Sequence, residues 1–417
     1  MHTNCITRGR AAEATTHGSP TTFTWRGLCL ALSLVLLSGC SSLRPWINTP
    51  MAPGQMHEPH VNRARDPSLV MAVTISGGGA RAAAFGYGVL RALDSVHFDW
   101  NGKHLTLLDS TDLISGVSGG SIVSAYYAAF GREGLPNFES EFLRNDFQQN
   151  LISLLARPGN LHDLTSPWFG RSNLLQRQLD SLYRGMTYAD VEARPRHPQL
   201  IVTATDLTRG TGFEFTWDQF ALLCSDLGQV PLSFAVAASS AVPIVLSPLT
   251  VKNFADQCPP EARQRMVRAA GSPAREAGDY RQRLYRAQIN EYLDASKRPY
   301  IHLVDGGLAD NLGVQRLLDR ALMDRGLRDT FREMAVVTGS VRKVVLVVVN
   351  AERDPTRNLD LSDKVPGMLD VADALLFGTG ARATNETQEY LQDVMRAWHR
   401  EAKSRGQSGG ADVFAPD

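Results

Sequence analysis

Cysteine is scarce in this chain, five in 417 residues, too few to frame a disulfide-stapled fold. Excess charge is missing as well: 43 Lys+Arg stand against 43 Asp+Glu, which removes the electrostatic footprint of a general nucleic-acid binder. The apolar run at residues 28–37 falls well short of the roughly 20 residues that a membrane-spanning helix needs. No His/Cys cluster suggests a metal, and no G-K-[ST] lysine is present to hold a nucleotide phosphate, so neither metal nor cofactor is expected. What remains is a globular balance, 43% hydrophobic and 21% charged, with length for one large domain or two ordinary ones.

The amino-terminal stretch has the pattern of a targeting signal. Arg8, Arg10 and Arg26 precede the apolar run, and Leu37-Ser38-Gly39-Cys40 closes it with small residues and a cysteine. This resembles the lipobox of bacterial lipoproteins; an ordinary signal peptide, or a buried helix with an incidental cysteine, is the alternative. The resemblance implies that residues 1–39 are removed and that lipid on Cys40 provides the membrane attachment. Ser41 and Ser42 follow Cys40 with no aspartate, which implies the bacterial cell envelope, at the outer membrane rather than the inner. The mature chain would carry 40 Lys+Arg against 42 Asp+Glu, giving no polybasic patch.

Residues 40–68 hold Pro45, Pro50, Pro53, Pro59 and Pro67 without apolar periodicity and read as a tether. The globular pattern spans residues 69–405, and the polar, Gly-rich residues 406–417 read as a disordered tail. Five short apolar runs, at 70–75, 112–115, 200–204, 300–304 and 344–349, predict strands with helices between them. Such runs imply an α/β fold, a mostly parallel central sheet with helices on both faces. Residues 255–297, rich in Arg, Glu and Gln, read as a charged helical insertion on the surface. Cys224 and Cys258 could pair in an oxidising compartment or remain buried thiols.

Three segments carry chemistry. Gly116-Val117-Ser118-Gly119-Gly120 matches G-x-S-x-G, the strand-to-helix turn that lifts a nucleophilic serine out of a sheet. The pattern alone is weak: residues 406–410 also match, but Ser408 has no apolar strand before it. Gly77-Gly78-Gly79, between a predicted strand and helix, leaves backbone N–H groups unobstructed near a helix's positive end, as an oxyanion hole requires; a phosphate-binding or plain tight turn would look similar. Asp305-Gly306-Gly307 ends the predicted strand at 300–304, where sites in open parallel sheets are built. Standing alone, Asp305 would read as a turn residue. Among the histidines after Ser118, His302 reads as a core residue and His399 as part of a solvated helix face; His162 and His197 are the others.

In order and strand-end context, Gly77 to Arg81, Gly116 to Gly120 and Asp305 to Gly307 resemble the patatin-like phospholipases. Ala237-Ala238-Ser239-Ser240-Ala241-Val242-Pro243 resembles that family's intermediate segment, and Asn311 extends the third motif. Ala82 departs from the family, which usually has glycine there. The resemblance, over residues 70–313, implies a three-layer α/β/α lipid acyl hydrolase acting on membrane lipid or a lipid-like ester without a cofactor. It implies Ser118 as nucleophile and Asp305 as base in a dyad without histidine, in elbow and base motifs shaped by Gly116, Gly120, Gly306 and Gly307. Gly77, Gly78 and Gly79 would donate N–H groups to the oxyanion, and Arg81 would hold that loop or meet substrate phosphate. A histidine-dependent α/β-hydrolase carboxylesterase and a non-catalytic envelope lipoprotein binding lipid or a partner are the alternatives.

Overall fold

Seven uncharged residues, Leu69–Ile75, form β1, and every one is buried. A strand with both faces covered must be apolar throughout rather than alternating, and β1 is the middle of the parallel half of the sheet. The computed structural model describes residues 41–52, 66, 68–260, 280–315, 317–319, 343–352 and 379–404, with isolated positions between 360 and 374. The expected signal segment 1–39, Cys40, most of the tether, residues 261–279 and the tail with Ser408 lie outside the described residues.

After β1, the chain forms α1 (Gly79–Ser95), a β2–β3 hairpin (His97–Trp100, Lys103–Thr106), β4 (Thr111–Val117) and α2 (Gly119–Gly134). Four helices follow, α3 (Phe147–Leu155), α4 (Pro158–Asp163), α5 (Arg171–Tyr183) and α6 (Tyr188–Glu192). Then come β5 (Gln199–Asp206), β6 (Thr211–Phe215), α7 (Trp217–Leu222), α8 (Leu232–Ser239) and β7 (Leu249–Lys252). The described chain closes with α9 (Tyr280–Tyr292), β8 (Tyr300–Val304), β9 (Lys343–Val349) and α10 (Thr379–Ser404).

The main sheet runs β7-β8-β5-β4-β1-β9, with β6 also paired to β5. Its centre is parallel, β1 flanked by β9 and β4, and β4 by β5. Helices pack against it in the α/β/α layering that the apolar runs imply. Helix α1 turns Ala82, Ala83, Gly86, Tyr87, Leu90 and Leu93 inward at helical spacing. Helix α8 is buried at all eight positions, so its two serines must find partners inside the protein.

The β8 strand runs antiparallel to β5, contrary to the parallel placement that the sequence suggested for Asp305. The register explains how the aspartate reaches the site all the same. Val117, the end of β4, is level with Thr203, but β5 continues to Asp206. The β8 strand pairs with that overhang, Val304 opposite Thr205 and Leu303 opposite Asp206. Running back down β5, it delivers Asp305 to the level of Ser118.

Two other expectations are modified. Residues 41–52 do not behave as a free tether: Asn48 donates to Ser225 Oγ and to the Lys252 carbonyl, both at 2.8 Å, and accepts the Lys252 N–H at 2.7 Å. The Trp46 ring packs against that of Phe234 with centroids 4.6 Å apart and planes tilted by 60°. Single side chains, not periodicity, fix this segment, which is why composition hides it. The charged insertion is likewise fastened at its end: Tyr292 is fully buried and donates to Asp206 at 2.9 Å, and Arg298 pairs with the same carboxylate at 2.6 Å. Cys224 and Cys258, of the alternatives left open, form a disulfide with Cα atoms 5.4 Å apart.

Candidate active site

Ser118 occupies the turn between β4 and α2 with φ 48° and ψ −122°, backbone that a non-glycine residue adopts only when its surroundings impose it. The imposition is steric. A Cβ on Gly120 would strike the carbonyls of Ile75 and Ser76, one on Gly119 the carbonyl of Gly79, and one on Gly116 the backbone of Ser121. With hydrogens there, α2 closes onto the end of β1, and Ser118 is held at the top of the sheet as a nucleophile elbow requires.

The elbow is also pinned by hydrogen bonds. Ser239, at the end of α8, accepts the Ser118 N–H at 2.7 Å and donates to the Thr203 carbonyl at 2.6 Å. Ser121 returns its hydroxyl to the Ser118 carbonyl at 2.6 Å. The Ser118 side chain then points to Asp305: Oγ donates to Oδ2 at 2.7 Å.

Both residues are buried. Asp305 Oδ1 accepts the Gly307 N–H at 2.8 Å, its own N–H goes to the Ala241 carbonyl at 3.0 Å, and Thr205 Oγ1 binds its carbonyl at 2.8 Å. Gly306 sits so close to the Thr203 carbonyl that no side chain fits. Burial pushes the Asp305 carboxyl up from 3.8 to about 6, against the opposing pull of its bonds to Ser118 and Gly307. No cation among the described residues offsets that burial.

The glycine loop lies alongside. Gly78 and Gly79 have φ of 139° and 63°, and their N–H groups, with that of Gly119, have no partner among the described residues. Gly77 differs from expectation: its N–H is already given to the Asn311 carbonyl at 3.1 Å. Its bare Cα matters sterically instead, since a Cβ would crowd Asn311 Oδ1 and come within 3.4 Å of the Ser118 Cβ. Arg81 Nε donates to the Ala351 carbonyl at 3.2 Å, tying the loop to the chain after β9. Ala82 is buried, and a Cβ on Gly78 would crowd its methyl group at 3.3 Å.

A family model described as patatin-like phospholipase matches residues 73–318, which include the glycine loop, the elbow and Asp305. The chain belongs to the patatin-like phospholipase family. Among solved structures it is similar to human GIVD cytosolic phospholipase A2, at 14% identity and TM-score 0.37, over 60% of this chain and 44% of that one. The chain thus covers less than half the length of that enzyme. A comparison with curated proteins gives no match.

Within this patatin-like domain the histidines lie apart from the pair. His302, read from the sequence as core, is exposed, its Nδ1 2.9 Å from Thr250 Oγ1. His162 is exposed on α4, and His197 contacts the Pro198 carbonyl at 3.3 Å. The His399 side chain lies outside what is described. The sequence reading assigned no part to Ser239 or Asp310. Asp310 is buried, accepts the N–H groups of Gly313 at 3.0 Å and Gln315 at 2.7 Å, and shapes the turn that aims Asn311 at the glycine loop. Nothing in the sequence sets Ser239 apart from Ser233, the other hydroxyl of the apolar helix α8. Among the described residues no group of acidic, His or Cys side chains could hold a metal ion, and no helix is long and apolar enough to cross a membrane.

Proposed function

We propose that this patatin-like protein is a lipid acyl hydrolase that works through a Ser118–Asp305 dyad and an acyl-enzyme. The observation that carries the reading is the 2.7 Å hydrogen bond from the serine hydroxyl to a buried carboxylate, with no histidine among the described residues bonded to either. A carboxylate of ordinary pKa is a weak base toward an alcohol. Burial raises that of Asp305 to about 6, closer to the working range and still ionised at neutral pH.

In the first step Ser118 Oγ attacks the ester carbonyl while its proton passes to Asp305 Oδ2. The oxyanion is met by the unpartnered N–H groups of Gly78 and Gly79 near the positive end of α1, with that of Gly119 adjacent. Gly77 contributes space rather than a donor. The carbonyl–alcohol bond breaks as the alcohol takes the proton from Asp305, leaving acyl-Ser118. Water, deprotonated by Asp305, then releases the fatty acid and restores the serine. Of the two parts open to Arg81, the bond to Ala351 supports holding the loop. Gly116 and Gly120 allow the elbow, and Gly306 and Gly307 position the base.

The same proposal places the protein in the bacterial envelope, lipid-anchored through Cys40 and retained at the outer membrane. The Cys224–Cys258 disulfide supports export, because such bonds persist in oxidising compartments.

The test is hydrolysis of phospholipid and short-chain ester panels by purified protein. Ser118→Ala and Asp305→Asn should each cost at least about 1,000-fold in kcat with folding intact. Single Gln replacements of His162, His197, His302 and His399 should retain a substantial share of activity. A folded, inactive histidine variant beside an active Asp305→Asn would replace the dyad by a histidine triad.

A further inference from the structure

Beside the dyad lies a surface that the chemistry does not use. Leu161 on α4, Trp168 in the turn before α5, and Ile244 and Val245 after α8 are between 47% and 61% exposed. They belong to one face. Arg177 joins α4 to α5 through Asn160 at 3.0 Å and Asp163 at 2.9 Å. The start of α5 is joined to the loop after α8, Arg171 Nη2 donating to the Ile244 carbonyl at 2.7 Å and Ser172 bonding Ser247. That loop leads directly from the site, since the Ala241 carbonyl holds the Asp305 N–H at 3.0 Å. Three residues span at most about 11 Å, so Ile244 stands within that reach of Ala241, the residue that holds the Asp305 backbone. Ile244 has φ 74°, a genuine outlier for a β-branched residue, which fixes an exposed isoleucine in this place.

The charge on this face has one sign. Arg44, Arg157 and Arg171 are exposed on it. Across residues 41–52, 147–171 and 240–250 the acidic side chain is Asp163, already paired with Arg177. The Arg44 guanidinium lies 3.7 Å over the Trp168 ring. The described chain also begins here: Ser41 N–H donates to Thr165 Oγ1 at 2.8 Å and Ser166 Oγ to the Leu43 carbonyl at 2.7 Å.

We infer that this face seats the protein on an anionic lipid surface, with the apolar side chains in the headgroup–acyl boundary and the arginines among lipid phosphates. A second copy of the chain would set arginine against arginine. The inference rests on the lipid-hydrolase reading only for the purpose of docking, which is to present the Ser118 site to ester bonds in the same leaflet.

The test uses the full chain carrying Ser118→Ala, so that the vesicles stay intact, and Cys40→Ala, so that no lipid anchor contributes to binding. On vesicles of phosphatidylcholine with about one-third phosphatidylglycerol, acyl-brominated lipid should quench a component of tryptophan emission that Trp168→Phe removes. Replacing Arg44, Arg157 and Arg171 together by Gln should lower partition onto these vesicles on the order of 100-fold and leave partition onto pure phosphatidylcholine unchanged. Protein that stays off the vesicles, or binds with Trp168 unquenched, overturns the inference. So does a dimer that Leu161→Ser with Ile244→Ser dissociates while Trp168 stays unquenched. The two readings fail separately: quenching without any hydrolysis by wild type sinks the hydrolase alone, and hydrolysis of vesicle lipid with Trp168 unquenched sinks the docking face alone.

Discussion

Replacing Asp305 by Asn should abolish catalysis and make the protein more stable at neutral pH. The carboxyl is raised from 3.8 to about 6 because it is buried without a cation. A group raised on folding contributes stability that is complete below its unfolded value and is lost as pH climbs through its folded value. Two pKa units at about 1.4 kcal/mol each amount to about 3 kcal/mol withheld at pH 7. Asparagine does not ionise, its Oδ1 can keep the Gly307 N–H, and its amide can donate to Ser118 Oγ. Allowing about 1 kcal/mol for the altered serine bond, the net gain is about 2 kcal/mol at pH 7–8. Denaturant unfolding of wild type and Asp305→Asn between pH 4 and 8 reads it directly. Asp305→Asn should be the less stable protein by up to about 1 kcal/mol at pH 4 and below, cross the wild type between about pH 4 and 5, pull ahead through pH 6 and run parallel to it above about pH 7. Asp310, also raised to about 6 by burial, titrates in both proteins and cancels. Curves that stay parallel across the range would show that Asp305 is not held as a strained base, and the proton-acceptor role would fall with it.

Ser239→Ala leaves the buried Ser118 N–H and Thr203 carbonyl unpartnered and should cost about 1–3 kcal/mol of stability; kcat should drop while the pH midpoint stays put, and Ser239→Thr should rescue it. Breaking the Cys224–Cys258 bond, which closes a loop of 34 residues, should cost about 4 kcal/mol in thermal or denaturant unfolding, the same whether by reductant or by paired serine substitution; an unmoved transition would refute the bridge. Wild-type protein expressed in bacteria should take up labelled palmitate and sediment with membranes, and Cys40→Ala should do neither; unlabelled soluble wild type refutes the anchor.

The parts of this molecule that were legible in its sequence share a physical cause. Strands β1, β4, β5 and β9 announce themselves because strands covered on both faces read as largely apolar runs, whereas β8 alternates, with Tyr300 and His302 exposed and Ile301 and Leu303 buried. The β2–β3 hairpin escaped because His97, Asp99, Lys103 and His104 interrupt any pattern, and β7 because four residues carry too little signal. An apolar run does not record its direction, so the antiparallel course of β8 was invisible although its aspartate was not. The dyad was readable as a pair of strand ends. Ser239 was not singled out, since its role depends on α8 lying across Thr203 and the elbow, a contact between segments far apart in the chain. The docked residues 41–52 were hidden for the same reason, Asn48 borrowing the polar groups of Lys252 as a neighbouring strand would.

The overhang of β5 beyond β4 also dictates when the protein becomes chemically competent. Ser118 and Asp305 are 187 residues apart, and the aspartate reaches the serine only along a strand whose partner residues are Thr205 and Asp206. The close steric contacts of the elbow lie among residues 75–121 and can form from near neighbours in the chain, while its N–H bond to Ser239 comes from farther along. The base arrives only with a long-range antiparallel pairing, the slow kind of event in folding. A partly folded chain therefore carries its serine without an acceptor for the proton. On the proposed dyad mechanism hydrolysis would switch on only with this pairing, and the appearance of activity during refolding would clock it.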